Sequence, residues 1–223
     1  MLVTTWRGVQ FASLAHSFAA PQPVDLTALP VPGGTAGSAP LQRLHAARPL
    51  GAATSPDCLF LNVFAPKGAA DLPVVLYFFG GGFEAGAASE ASIDGAHLAQ
   101  LGPCIFVAAN YRLGAYGFAH FHTLSDQLTD AHNLGLQDAI AALHWVRKFI
   151  HLFGGDPHRV TLMGGSSGAF LATALAVARG VAPSKPSPAS RAARHASSPK
   201  KTRCASARTS FAPSAARRPA RPF

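Results

Sequence analysis

Two short stretches of this 223-residue chain hold residue types that could perform acyl transfer. The first is Gly164-Gly165-Ser166-Ser167-Gly168, a G-x-S-x-G lying between the strand candidate Arg159 to Met163 and a run of small and apolar residues. A strand that turns this tightly into a helix needs residues without bulk around the serine. Such a turn lifts the Ser166 hydroxyl clear of the sheet, where a base and a substrate carbonyl can reach it. The helix N-terminus behind it favours developing negative charge. The second stretch is Phe79-Gly80-Gly81-Gly82-Phe83, after another apolar run. Acyl transfer builds an oxyanion, which needs N–H donors held in place with no side chain in the way. Successive glycines at the end of a core strand supply such bare amides. Each stretch alone also reads as an ordinary glycine turn, but two of them on separate core strands make coincidence much harder to sustain.

These stretches need elements to hold them. Leu59 to Phe64 reads as a strand ended by Pro66 and Gly68. Val74 to Phe79 is continuously apolar and rich in β-branched and aromatic residues, as a strand buried on both faces should be. Cys104 to Ala109 is a second such run, and Arg159 to Met163 a third. Gly95 to Leu101 predicts a short helix. The spacing of Leu136, Ile140, Leu143 and Ile150 predicts a longer one over 135–150, with Val146 and Phe149 at the margin of its apolar face and Asn133 as N-cap. Gly154 to Pro157 should break the chain, and Ala169 to Arg179 should be helical. Residues 1–50, rich in Pro, Gly and Ala, read as mostly loop with short strands. Alternating strands and helices predict a mostly parallel sheet with helices on both faces. The alternation stops at Gly180.

Composition narrows the classes further. An apolar fraction of 48% with 13% charged residues belongs to a chain with a core. The net charge of +9 is not evenly spread: residues 1–180 carry 9 basic and 10 acidic side chains, and 181–223 carry 10 basic and none acidic. The high isoelectric point therefore gives no reason to expect nucleic-acid or membrane binding by the first 180 residues. No apolar run reaches a membrane span. The N-terminus lacks the continuous apolar stretch of a signal peptide. Three cysteines, Cys58, Cys104 and Cys204, lie far apart with no C-x-x-C, which excludes a disulfide scaffold and a cysteine-rich zinc site. His120 and His122 have no third ligand at suitable spacing, so no metal is expected.

Over about residues 8–180 the chain resembles the type-B carboxylesterases, the family of cholinesterases and para-nitrobenzyl esterases. Gly8-Val9-Gln10-Phe11-Ala12 looks like the family's G-I-P-Y-A, and Asp57 to Val63 like its E-D-C-L-Y-L-N-V box. Phe79 to Phe83 looks like H-G-G-G-F. Asn110 to Gly114 with Gly117-Phe118 resembles N-Y-R-L-G…G-F, and Asn133 to Asp138 resembles N-x-G-L-x-D. Ala142 to Val146 fits A-L-x-W-V, Phe153 to Pro157 matches F-G-G-D-P, and Gly164 to Gly168 stands at the G-E-S-A-G elbow. The resemblance implies an α/β-hydrolase fold and a serine carboxylic-ester hydrolase acting on small-molecule esters through an acyl-enzyme, with no metal or organic cofactor. Matched by position, it implies Ser166 as nucleophile and the amides of Gly81, Gly82 and Ser167 as oxyanion hole.

The chain also departs from the pattern. Gly165 stands for the usual Glu or Gln, Ser167 for Ala, Phe79 for His or Tyr, and Pro56 for Glu. Gly165 should loosen the elbow, whereas Ser167 still offers its backbone N–H. Cys58 resembles a position disulfide-bonded in many secreted members, but no earlier cysteine exists to pair with it, so it reads as a buried thiol. In this fold the triad runs serine, acid, histidine along the chain. No Asp or Glu follows Ser166, and the only later histidine is His195. His97, His120, His122, His132, His144, His151 and His158 all precede the serine and read as surface or loop residues. The expectation is an N-terminal portion of the fold, truncated after the elbow helix. Residues 181–223, built almost wholly of Ala, Ser, Pro, Lys and Arg, are expected to be a disordered tail. That tail reads either as a basic arm or as GC-rich DNA translated in a shifted frame, and the abrupt switch after Gly180 favours the second. The alternative function is a catalytically inactive α/β-hydrolase-like interaction module, against which the retained serine and triple glycine speak.

Overall fold

The computed structural model describes residues 2–178 apart from 27–29 and 31. In chain order it contains strands β1 (Val3–Gln10), β2 (Ala12–Ser13), β3 (Gln22–Pro23), β4 (Ala39–Pro40), β5 (Thr54–Ser55), β6 (Phe60–Pro66) and β7 (Leu72–Phe78). Helix α1 (Ala96–Leu101), strand β8 (Ile105–Ala109), helices α2 (Gly114–Phe118) and α3 (Leu134–Phe149), strand β9 (Gly155–Gly164) and helix α4 (Ser167–Val177) follow. The expected tail, with His195 and Cys204, lies outside the described residues.

Five strands form the central sheet in the order β1-β6-β8-β7-β9. The β8–β7 and β7–β9 ladders are parallel, and the β1–β6 and β6–β8 ladders antiparallel. Four strands thus run one way and β6 alone runs against them. The short strands pair separately, β2 with β3 and β4 with β5.

Helices cover both faces, and strand alternation shows how. A side chain on Gly95, at the start of α1, would strike the Phe106 ring at 2.1 Å. A side chain on Gly155 would strike Ile150, Val74 and Ile105. Ile105 and Phe106 are consecutive on β8 and therefore point to opposite faces. Helix α1 covers one face, and the chain leaving α3 covers the other.

The structure corrects three readings and bears out Asn133 as N-cap. Residues 3–10 form a full eight-residue strand; a segment with Trp6 and Val9 buried and the rest half-exposed lacks the apolar density that marked the others. Strand β9 starts at Gly155, not after Pro157. The proline is accommodated because β9 pairs only with β7 among the described strands and its ladder is irregular between Leu72 and Val74. The buried stripe of α3 is Leu134, Gly135, Asp138, Ala139, Ala142, Leu143, Trp145 and Val146, and Leu136 and Ile140 lie half-buried at its margin. Small residues set that stripe, because they allow close packing that the larger side chains would prevent. Asn133 is at the N-cap, but in the left-handed conformation (φ 46°) with no capping bond from its side chain.

Met163 of β9 is 48% exposed, and α4 exposes Phe170 and Val177 by 73% and 76%. An apolar edge strand of this kind templates association. The chain expressed alone should therefore aggregate. A chain that stays monodisperse by light scattering would contradict that.

Candidate active site

The two glycine-bearing turns leave the carboxyl ends of adjacent parallel strands. Phe78, the last residue of β7, is in register with Gly164, the last of β9. The turns touch: a side chain on Gly80 would lie 2.5 Å from the Gly165 carbonyl oxygen and 3.0 Å from the Ser166 Cβ. Glycine is also required within the elbow itself. A side chain on Gly164 would strike the Gly168 backbone at 2.3 Å, and one on Gly168 would strike the Phe78 carbonyl oxygen at 2.1 Å.

Ser166 sits at the N-terminus of α4 with φ 51° and ψ −120°. For a residue bearing a Cβ this conformation costs about 1–3 kcal/mol and is held by its surroundings. Here the Gly165 N–H donates to the Phe78 carbonyl (3.3 Å), and the first α4 amides donate to the carbonyls of Gly165 and Ser166. Ser166 is exposed, whereas Ser167 beside it is buried. Among the described residues, no side chain hydrogen-bonds the Ser166 hydroxyl. All seven histidines from His97 to His158 are exposed, as expected of surface residues. No cluster of metal-ligating side chains occurs among the described residues.

The glycine loop is anchored from both sides. Arg48 donates to the Gly80 carbonyl (2.7 Å) while its Nε lies 3.0 Å from both carboxylate oxygens of the buried Glu90. The Glu84 and Ala85 amides donate to the Gly81 carbonyl. Tyr111 is fully buried, stacks on Phe79 at 4.5 Å and donates its hydroxyl to the Phe79 carbonyl at 2.7 Å. Burial pushes the Tyr111 hydroxyl up to about 12, against the pull of a hydrogen bond with the Ser167 side chain. Phe79, which replaces a polar residue of the family pattern, is thus a packing partner for Tyr111.

Of the three amides assigned to the oxyanion hole, those of Gly82 and Ser167 have no hydrogen-bond partner among the described residues. Gly82 adopts φ +66° with open space beside it. The Gly81 N–H differs, since it donates to the Ser167 Oγ at 3.0 Å. Neither that bond, nor Arg48, nor Tyr111 was foreseen. Arg48 lies in a stretch without periodicity, and Tyr111 entered only as part of a family motif. Cys58 is a buried free thiol, as expected. Burial, reinforced by the nearby Asp138 carboxylate, raises its pKa far above the ordinary range, which makes it inert as a nucleophile.

A serine on a strained strand-to-helix turn, beside a glycine loop at the carboxyl ends of neighbouring parallel strands, defines an α/β-hydrolase fold. The chain belongs to the carboxylesterase family, whose pattern it matches over residues 2–184. It is 48% identical over 122 residues to the para-nitrobenzyl esterase of Bacillus subtilis, a stretch covering 54% of this chain and 24% of that protein. It is 44% identical over 126 residues to acetylcholinesterase 4 of Caenorhabditis briggsae, covering 56% and 20%. A thermophilic PNB esterase of known structure superposes with a TM-score of 0.72 at 36% identity, over 80% of this chain and 38% of that one. The chain therefore spans about a quarter of the length of these curated relatives or less.

Proposed function

We propose that this chain carries the nucleophile and oxyanion-hole part of a serine carboxylic-ester hydrolase, with Ser166 as nucleophile and the amides of Gly81, Gly82 and Ser167 as oxyanion donors. One observation carries the reading: the two glycine-bearing turns meet across the β7–β9 ladder, with the Ser166 Cβ at 3.0 Å from a side-chain position on Gly80. Small-molecule carboxylic esters are the substrate class. The Ser166 oxygen bonds to the acyl carbon, the alcohol leaves with the former ester oxygen, and the serine proton passes to a base.

Among the described residues no side chain hydrogen-bonds the Ser166 hydroxyl and every histidine is exposed, so these 223 residues by themselves should acylate slowly and activate no water against the acyl-enzyme. The oxyanion donors alone leave a modest residual rate. The chain should thus release about one equivalent of nitrophenolate from para-nitrophenyl acetate and then stall, with one acetyl group on the peptide containing Ser166. Many turnovers per chain, or acetyl groups scattered over surface lysines only, would contradict the reading.

A further inference from the structure

The amide of Gly81 carries a bond that the proposed chemistry must break. Its N–H donates to the Ser167 Oγ at 3.0 Å. Beside Ser167, the Tyr111 hydroxyl donates to the Phe79 carbonyl at 2.7 Å. A backbone N–H can only donate, so Ser167 Oγ is the acceptor of the Gly81 bond, while the Tyr111 O–H is already given to the Phe79 carbonyl. Ser167 is 4% and Tyr111 0% exposed, so the acceptor side of the Gly81 bond is shielded from water.

We infer that the Ser167 hydroxyl is a positioning group that occupies the Gly81 N–H in the resting protein and must give it up when negative charge develops at the reacting oxygen. This rests on the proposed reading of Ser166 as nucleophile. A serine at this position is therefore not equivalent to the alanine of the family pattern, although both supply the same backbone N–H. Two donors stand free and the third is sequestered. Releasing it costs about the net worth of one hydrogen bond, which corresponds to a factor of roughly five to ten in rate.

The test uses the full chain and a fluorophosphonate probe. Its reaction forms a bond from the Ser166 oxygen to phosphorus, expels fluoride and releases the serine proton to solvent, and the phosphonyl oxygen needs the same donors as an acyl oxyanion. Ser167→Ala and Ser167→Gly, both smaller than serine, should label Ser166 about five to ten times faster. In both, the Gly81 amide should exchange with deuterium freely, whereas in the parent chain it is protected. Unchanged or slower labelling at Ser166 in both variants, or a Gly81 amide equally protected in parent and variants, overturns the inference. Labelling of the parent that Ser166→Ala leaves intact overturns the nucleophile assignment instead, so the two failures are distinguishable.

Discussion

Asp138→Ala should abolish cooperative folding or lower the melting temperature by roughly 10 °C or more. Asp138 is 0% exposed and Arg112, its partner, 3%. The pair is bidentate, with Arg112 Nε at 2.8 Å from one carboxylate oxygen and a terminal guanidinium nitrogen at 2.7 Å from the other. The Arg112 backbone N–H donates to the same carboxylate at 2.9 Å. The remaining guanidinium nitrogen binds the carbonyls of Ser17 and Ala19. One ion pair thus ties α3 to the chain leaving β8 and to the N-terminal loop. Removing the carboxylate strands a buried cation, at a cost of about 3–5 kcal/mol. A domain of this kind has about 5–15 kcal/mol in total, and each kcal/mol moves the midpoint by roughly 2–4 °C. Asp25→Ala is the comparison, because Asp25 and its partner Lys148 are 70% and 60% exposed and such a pair contributes about 1 kcal/mol or less. Equal melting curves for the two variants would contradict this account.

Gly168→Val should disconnect the elbow from the glycine loop. The first atom of any side chain there would lie 2.1 Å from the Phe78 carbonyl oxygen and 2.6 Å from that of Phe79. Both are backbone atoms, so no rotamer change relieves the contact; α4 and the end of β7 must separate. That shift removes Ser166 from the Gly80–Gly82 loop, and a misplacement of about 1 Å in such a site costs on the order of a hundredfold in rate. Gly165→Ala is the control. Its added carbon meets only the Tyr77 hydroxyl at 3.0 Å, the far end of a side chain, and it should label and melt much as the parent does. Labelling of Gly168→Val at the parental rate would show that the two turns do not act together.

Much of this was legible in the sequence, for reasons that are local. The runs that became β7 and β8 are apolar over their whole length, and β6 is but for Asn62, because both sheet faces are covered, and apolarity of that kind is visible without knowing the neighbours. The two glycine-bearing turns were legible because steric demand at a tight crossing admits little else. What stayed hidden depends on partners far away in the chain. Strand β1 is held by pairing with β6, a long-range contact that its own composition does not announce. Arg48 reaches Gly80 and Glu90 from a loop with no pattern. Ser167 was visible as a departure from the family, but its contact with the Gly81 amide depends on how two loops 86 residues apart meet.

The central claim is that Ser166 is the nucleophile of an acyl-transfer site, and one measurement addresses it most directly. The full chain is incubated with a fluorophosphonate, digested, and the modified peptide mapped by mass spectrometry, alongside Ser166→Ala. The account predicts a single adduct on the peptide containing Gly164 to Gly168, absent in the variant. An adduct elsewhere, or one that survives Ser166→Ala, would contradict it.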